Sequence, residues 1–468
     1  MLKNIGLKNK IAIITDSENM ITYDRLIKES NTFADYIAER CLVIILCSNT
    51  YECVMGYVGC LNNRIVPMMV SDKIDKASLN DLINTYSPSY LWLPKEELDR
   101  CYEKLNFKEQ IYCFGKYVLL NVGQNDVVLN ENLALLLSTS GSTGSKKFVR
   151  LSYKNIEVNT KSIIEALDIK ESDRAITVLP LNYTYGLSII NTHLYKGATI
   201  LLTSQPIYKS EFWKFFNQHR GTSFSGVPYT YEMLIKLKML ENFKESIKKL
   251  TLSGGFLDNL YQKQINEFAQ NNNIEFYVMY GQTEATARVM CMRSENDSHI
   301  GSMGKFIPNV SGEILDNGEL VVYGENVSMG YALSYKDLEK DDENKGKLHT
   351  GDIVSMNEDG YFYWRGRLDR SKKIFGHRIN LDELDDLLRK EFVGNFFVSN
   401  VVENIIVINT DFENKQEIIS YVSKVSKLNK KVFLINIIDK LPRKENGKVN
   451  YAELLDKNEK MILQKGKL

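Results

Sequence analysis

The chain has 468 residues, 44% of them hydrophobic and 25% charged, a globular composition with room for two or three domains. Its 59 Lys and Arg balance 59 Asp and Glu, which excludes a global field able to recruit nucleic acid or an acidic membrane surface. Seven scattered cysteines without a C-x-x-C pair, five histidines without ligand spacing and an N-terminus without an apolar signal core point to a reduced, cytoplasmic protein with no zinc site; the apolar run 41–47 is too short to span a bilayer.

In chain order, Thr22 reads as the N-cap of a helix in which Leu26, Phe33, Ala34 and Ile37 recur at helical spacing. The apolar run 41–47, a helical YECVMGYVGCLN and the run RIVPMMV then make a βαβ unit of a buried parallel sheet. The alternation continues through 133–139, 174–180, 197–203, 224–228, 248–255 and 273–281, a large α/β body. Beyond about residue 300, alternating segments around Asn317-Gly318 and Asp359-Gly360 signal antiparallel hairpins. A small α+β segment follows from Asp369, where Asn380 can cap a helix with the face Leu381, Leu384 and Leu388. The fold class is therefore α/β, a large N-terminal body of mixed and parallel sheets with helices plus an antiparallel β element, and a small mobile α+β C-terminal domain. The domain boundary falls so that residues 1–368 form the core and 369–468 the lid.

Several short segments carry chemistry. After the strand 133–137 comes Thr139-Ser140-Gly141-Ser142-Thr143-Gly144, followed by Ser145, Lys146 and Lys147. Small hydroxyl residues and glycines let backbone N–H groups approach phosphate oxygens, and lysine adds a compact positive charge. The glycines lie too close together for a Walker loop. Tyr280-Gly281-Gln282-Thr283-Glu284 closes a strand, and its carboxyl end is where ligands bind in open α/β sheets. His349-Thr350-Gly351-Asp352 puts a carboxylate on a tight turn, Arg367 lies just before the boundary, and Lys448 follows a glycine near the C-terminus. Read singly, each is an ordinary turn or a solvated charge.

Together and in this order they resemble the acyl-adenylate-forming (AMP-binding) superfamily: acyl-CoA synthetases, adenylation domains of peptide synthetases, and luciferases. The resemblance runs from the Thr22-Tyr23 helix to Lys448. The phosphate loop T-S-G-[ST]-T-G-x-P-K-G falls on Thr139 to Phe148 and Y-G-x-T-E on Tyr280 to Glu284. T-G-D falls on Thr350 to Asp352, G-R-x-D on Gly366 to Asp369, G-x-R-[IV] on Gly376 to Ile379, and P-x-x-x-x-G-K on Pro442 to Lys448.

The resemblance implies an enzyme that activates a small carboxylic acid with ATP and Mg²⁺ and passes the acyl group to a thiol of coenzyme A or a phosphopantetheinyl acyl carrier protein. It implies that Thr139, Ser140, Gly141, Ser142, Thr143, Gly144 and Lys147 hold phosphates, and that Tyr280, Gly281 and Gln282 line the nucleotide. Thr283 would contact the α-phosphate, Glu284 would bind the metal, Asp352 would take the ribose hydroxyls with Arg367 beside them, and Lys448 would reach carboxylate and α-phosphate. Asp369 would be the hinge pivot; Lys373 and Gly376 would lie on the strand that admits a pantetheine arm. Tyr183, Gly254, Gly255 and Met279 would form the acyl pocket, Met279 narrowing it toward a short acid.

Departures from the pattern matter. Lys146 and Phe148 replace the loop's proline and glycine, which suggests a less rigid loop; Lys444 stands where threonine is usual. Tyr183 replaces a histidine common in CoA ligases, and no acid near Thr184 would pair with an α-ammonium. Other readings stay open: an amino-acid-activating ligase loading a separate carrier protein, a luciferase-like oxygenase, or an inactive nucleotide-binding homologue.

Overall fold

The computed structural model describes residues 9–98 except 38, 109–123, 127–138, 147–368 except 296, 370–374, 377–402 and 405–438 except 427, with 442, 453, 454 and 458. The chain divides into two compact units, residues 1–312 with 322–348, and residues 313–321 with 349–468. The 368/369 boundary expected from the sequence falls inside the smaller of these units.

In the larger unit, β1 (Ile11–Thr15) turns back antiparallel into β2 (Met20–Thr22). Thr22 caps the helix Tyr23–Asp35, its hydroxyl accepting from the Arg25 N–H at 3.2 Å. Leu26, Phe33, Ala34 and Ile37 are all buried, as the spacing requires. Next, β3 (Leu42–Cys47), the helix Tyr51–Asn62 and β4 (Val66–Ser71) make the expected parallel βαβ unit, Ile44 opposite Met68. Every residue of β3 is buried, so the strand is continuously apolar rather than alternating. The same sheet takes in β5 (Tyr90–Pro94), β6 (Glu109–Phe114), β7 (Tyr117–Asn121), β8 (Leu133–Ser138) and β9 (Phe148–Ser152). The β6–β7 hairpin is not foreseen from sequence: β6 is a half-exposed edge strand whose packing rests on Tyr112 and Phe114, rings that meet Phe33, Trp92 and Tyr51 from distant segments.

The chain then builds a second sheet around β1 with β10 (Arg174–Ile176), β11 (Thr199–Leu202), β12 (Ser223–Gly226), β13 (Lys249–Leu252) and β14 (Glu275–Tyr280), all parallel to their neighbours. Two antiparallel strands, β15 (Met290–Arg293) and β16 (Ser302–Phe306), follow beside β14. Phe212, Trp213, Phe216, Phe224, Tyr231 and Phe243 fill the space between this sheet and its helices. Phe224 and Trp213 stack at 6.2 Å while Phe243 meets both rings edge-on.

The turn at Asn317-Gly318 links β17 (Val310–Ile314) to β18 (Glu319–Gly324), Gly318 taking φ +84°. The short β19 (Tyr331–Ala332) then pairs antiparallel with β9, Tyr331 opposite Val149. The first-described sheet thus has eight strands in the order β19-β9-β8-β4-β3-β5-β7-β6. Arg150 of β9 is fully buried and saturated. It donates to the carbonyls of Tyr331 (3.2 Å), Lys340 (2.5 Å), Met329 (2.9 Å) and Asp341 (3.2 Å) and pairs with Glu343 at 2.7 Å.

In the smaller unit, β20 (Lys347–Met356) and β21 (Phe362–Arg367) form the hairpin expected around Asp359-Gly360. The α+β remainder contains the paired β22 (Ser371–Ile374) and β23 (His377–Asn380), the helix Leu381–Glu391, and the sheet of β24 (Phe396–Val402), β25 (Ile405–Thr410) and β26 (Phe433–Ile437). Leu381, Leu384 and Leu388 face its core, as the spacing requires. Arg370 bridges Asp382 at 2.5 Å and Asp385 at 2.9 Å, tying the strand region to that helix.

Candidate active site

Because β10, β12, β13 and β14 run parallel, their carboxyl ends share one edge of the sheet, the place where open α/β sheets bind ligands. After β13 comes Gly254 at φ +92°; a Cβ there would lie 2.5 Å from Tyr183 Oη and 3.2 Å from Val227 Cγ1. Only glycine takes that backbone without strain, and its bareness is what lets the Tyr183 ring approach. Gly255 lies beside Pro228. Tyr183 immediately precedes the helix Thr184–Lys196, its ring centroid 6.3 Å from that of Tyr185. Burial pushes the Tyr183 hydroxyl up to about 12, so it is a neutral donor at physiological pH. Three expected acyl-wall residues, Tyr183, Gly254 and Gly255, thus meet in the segments that follow β10 and β13, the two strands on either side of β12.

The turn that leaves β14 is tight. A Cβ on Gly281 would sit 1.8 Å from the Ala287 carbonyl oxygen, so the turn closes only on glycine. Gln282 donates to Tyr280 Oη at 3.1 Å, and Thr283 is buried. Thr286 and Ala287 both have positive φ, +64° and +142°, conformations that side-chain-bearing residues rarely adopt. Asn326 and Asn159 hold this strained backbone. Thr286 Oγ1 donates to the Asn326 carbonyl at 2.6 Å, and Asn159 binds both the carbonyl (2.8 Å) and the N–H (3.3 Å) of Arg288.

Glu284 and Lys147 meet through one aromatic ring. Tyr331 donates its hydroxyl to Glu284 Oε1 at 2.8 Å, and Lys147 Nζ lies 3.4 Å from the centroid of the same ring. The pairing of β9 with β19 makes this possible, since Lys147 immediately precedes β9. Phe148, where the family pattern has glycine, is buried and meets Tyr86 edge-on at 5.4 Å, so it pins the loop's exit to the core.

In the smaller unit the register of β20 and β21 places Asp352 opposite Arg367. Asp352 is buried and its Oδ1 accepts from Arg367 Nη1 at 3.1 Å and Trp364 Nε1 at 3.2 Å. The Arg367 backbone N–H donates to Asp382 at 2.8 Å. Gly351, at φ +68°, gives its N–H to Glu319 at 3.1 Å; both Gly351 and Asp352 lie inside the strand β20, so Asp352 stands on a strand, held by its pairing with β21, and not on the tight turn expected from sequence.

Thr139, Ser140, Gly141, Ser142, Thr143, Gly144, Asp369, Gly376 and Lys448 lie outside the described residues, and of Lys373 only the strand is described. Sequence reasoning missed Tyr331, Trp364, Tyr185 and Arg288. Tyr331 becomes visible only through strand pairing. Arg288, four residues past Glu284, looks like a solvated charge, yet it is 3% exposed and its Cζ lies 4.0 Å from the Tyr185 ring centroid.

Residues 6–332 match the AMP-binding enzyme family. The 2-succinylbenzoate–CoA ligase of Staphylococcus epidermidis is 26% identical over 367 residues, 75% of this chain and 73% of that protein. The D-alanine–D-alanyl carrier protein ligase of Staphylococcus aureus is 23% identical over 469 residues, 93% and 94% of the two chains. The O-succinylbenzoate coenzyme A synthetase of Bacillus subtilis, solved with ATP and a magnesium ion, shares the fold at a TM-score of 0.71 and 20% identity, covering 95% of this chain and 96% of that one. Among the described residues no helix is long and apolar enough to cross a membrane. On its matched length and its fold, this chain belongs to the AMP-binding enzyme family of acyl-adenylate-forming ligases.

Proposed function

We propose that the chain activates a small carboxylic acid with ATP and then transfers the acyl group to a thiol. In the first step a carboxylate oxygen attacks the α-phosphorus, the bond to pyrophosphate breaks, and an acyl-adenylate forms. In the second a thiolate attacks the acyl carbon and AMP leaves. The observation that carries this reading is the Lys147–Tyr331–Glu284 cluster at the carboxyl end of β14, a cation and a carboxylate joined beside the phosphate-loop exit.

The donor set fits a hard cation. Glu284 Oε1 is held by the Tyr331 hydroxyl, and among the described residues no cation pairs with Glu284, which leaves Oε2 for an oxygen-seeking ion such as Mg²⁺. Bound there, Mg²⁺ would offset phosphate charge and so reduce repulsion between two anionic reactants. Thr283 offers a hydroxyl to the α-phosphate, Tyr280 a face to the adenine, and Asp352 an acceptor for ribose hydroxyls, oriented by Trp364 and Arg367. Lys147 and the loop 139–144 hold the outer phosphates, and Lys448 brings the attacking carboxylate to the α-phosphate. Catalysis is then largely positioning and charge stabilisation. After adenylation residues 369–468 swing as a lid about Asp369, withdrawing Lys448 and presenting Lys373 and Gly376 to the thiol. The acceptor is coenzyme A or a phosphopantetheinyl carrier protein, the two kinds named for the relatives.

Pyrophosphate release from ATP and Mg²⁺ across short aliphatic, hydroxy, aryl and amino acids, with and without coenzyme A, tests the reading. Turnover with one class supports it, and silence across the panel overturns it. Lys448→Ala is expected to lower adenylation by about 10²-fold or more while ATP still binds; an unchanged rate removes Lys448 from its role.

A further inference from the structure

Arg288 is a buried cation among the acyl-wall residues. Its Nε donates to Met279 Sδ at 3.2 Å, its Nη1 to the Ala287 carbonyl at 3.1 Å, and its Cζ lies over the Tyr185 ring at 4.0 Å. Among the described residues no carboxylate pairs with it and its Nη2 makes no hydrogen bond. The titratable groups that face it are Tyr183, Tyr185 and Cys291. Burial raises all three, Tyr183 and Cys291 to about 12, so none supplies a negative charge near neutral pH. Burial also pulls the guanidinium's own pKa down, yet arginine remains protonated in proteins. A desolvated charge without a counter-charge is costly, and an aromatic face and a thioether answer it only in part.

The backbone is committed to this placement. Ala287 at φ +142° and Thr286 at φ +64° form a strained turn, and Asn159 grips Arg288 by both its N–H and its carbonyl. Strain of this kind persists where surrounding structure enforces it, typically at ligand sites. Met279, Tyr185 and, across Tyr185, Tyr183 beside Gly254 connect Arg288 to the wall described above.

We propose that Arg288 receives a second carboxylate of the acid substrate, so that the chain activates a short dicarboxylic acid, one carboxylate entering the adenylate and the other held by the guanidinium. The inference rests on the acid-activating reading and names the substrate class of that site. The planar fork suits a carboxylate, and the thioether of Met279 fixes its orientation. An α-ammonium at this place would face a like charge, which sets amino acids aside.

The test uses the full chain with ATP and Mg²⁺, trapping adenylate as hydroxamate so that no thiol acceptor is needed. Malonate, succinate, glutarate and adipate are compared with the monoacids of equal length. The expected wild-type preference for one diacid over its monoacid is about 10²-fold or more in kcat/KM, as for sites built to bind a polar group. Arg288→Met should collapse that ratio toward one, and Arg288→Lys should restore part of it. Monoacids turned over as well as diacids, or a preference that survives Arg288→Met, would overturn the assignment while leaving acid activation intact. Silence with every acid would overturn the acid-activating reading and this inference with it. A diacid-dependent rise in Tm, present in the wild type and absent from Arg288→Met, tells loss of chemistry from loss of the carboxylate site.

Discussion

Two buried arginines in this chain do opposite things. Arg150 in β9 spends its guanidinium on four carbonyls and the Glu343 carboxylate, and so knots β9 to the segment 329–343. Arg288, at the turn out of β14, spends two nitrogens on a thioether and its neighbour's carbonyl and has no acid partner among the described residues. Equal burial therefore does not mean equal purpose. A guanidinium saturated from within is scaffold, whereas one held in place by its backbone and left short of acceptors is a receptor.

The contrast can be broken at the level of stability. Arg150→Met leaves the buried Met329 carbonyl and three part-buried carbonyls without their donor, and should cost about 3–5 kcal/mol. Arg288→Met removes a desolvated charge and should leave stability within about 1 kcal/mol of wild type or raise it. Urea denaturation of the two variants measures both; equal losses would erase the distinction. Next in size, Glu284→Gln keeps the Tyr331 contact but removes the charge, and adenylation should fall about 10²-fold with a higher Mg²⁺ requirement. A rate insensitive to Mg²⁺ titration in that variant would separate Glu284 from the metal. Gly254→Ala forces φ +92° on a residue with a side chain and drives a methyl against Tyr183. It should raise KM for the acid by about 10-fold with kcat less affected, because the wall rather than the phosphate machinery is disturbed. Smallest, Tyr185→Leu takes the ring from under Arg288 and should cost about 1 kcal/mol beyond its lost packing, seen as a double-mutant coupling with Arg288→Met.

Much of the fold was legible because its signals are local. The βαβ unit at 42–71, the Thr22 cap, the Asn317-Gly318 and Asp359-Gly360 turns and the Leu381–Leu384–Leu388 face each follow from neighbouring residues. The division of strands between two sheets was not legible, since β1 joins β11 and β2 while β3 starts another sheet, and that choice leaves no mark on either strand. The site divides the same way. Tyr280 to Glu284, with Asp352 and Arg367, stand in motifs of recognisable chemistry. Tyr331 and Arg288 act through partners 47 and about 100 residues away, Glu284 for the first and Tyr185 for the second, so their meaning is tertiary.

The clamp that Asn159 places on both backbone groups of Arg288 also bears on how such a protein can change over generations. Position 288 is a socket whose rim is fixed independently of what it carries, since the N–H and the carbonyl are held whatever the side chain. A single substitution there can exchange a buried cation for an apolar side chain without remaking the turn that carries it.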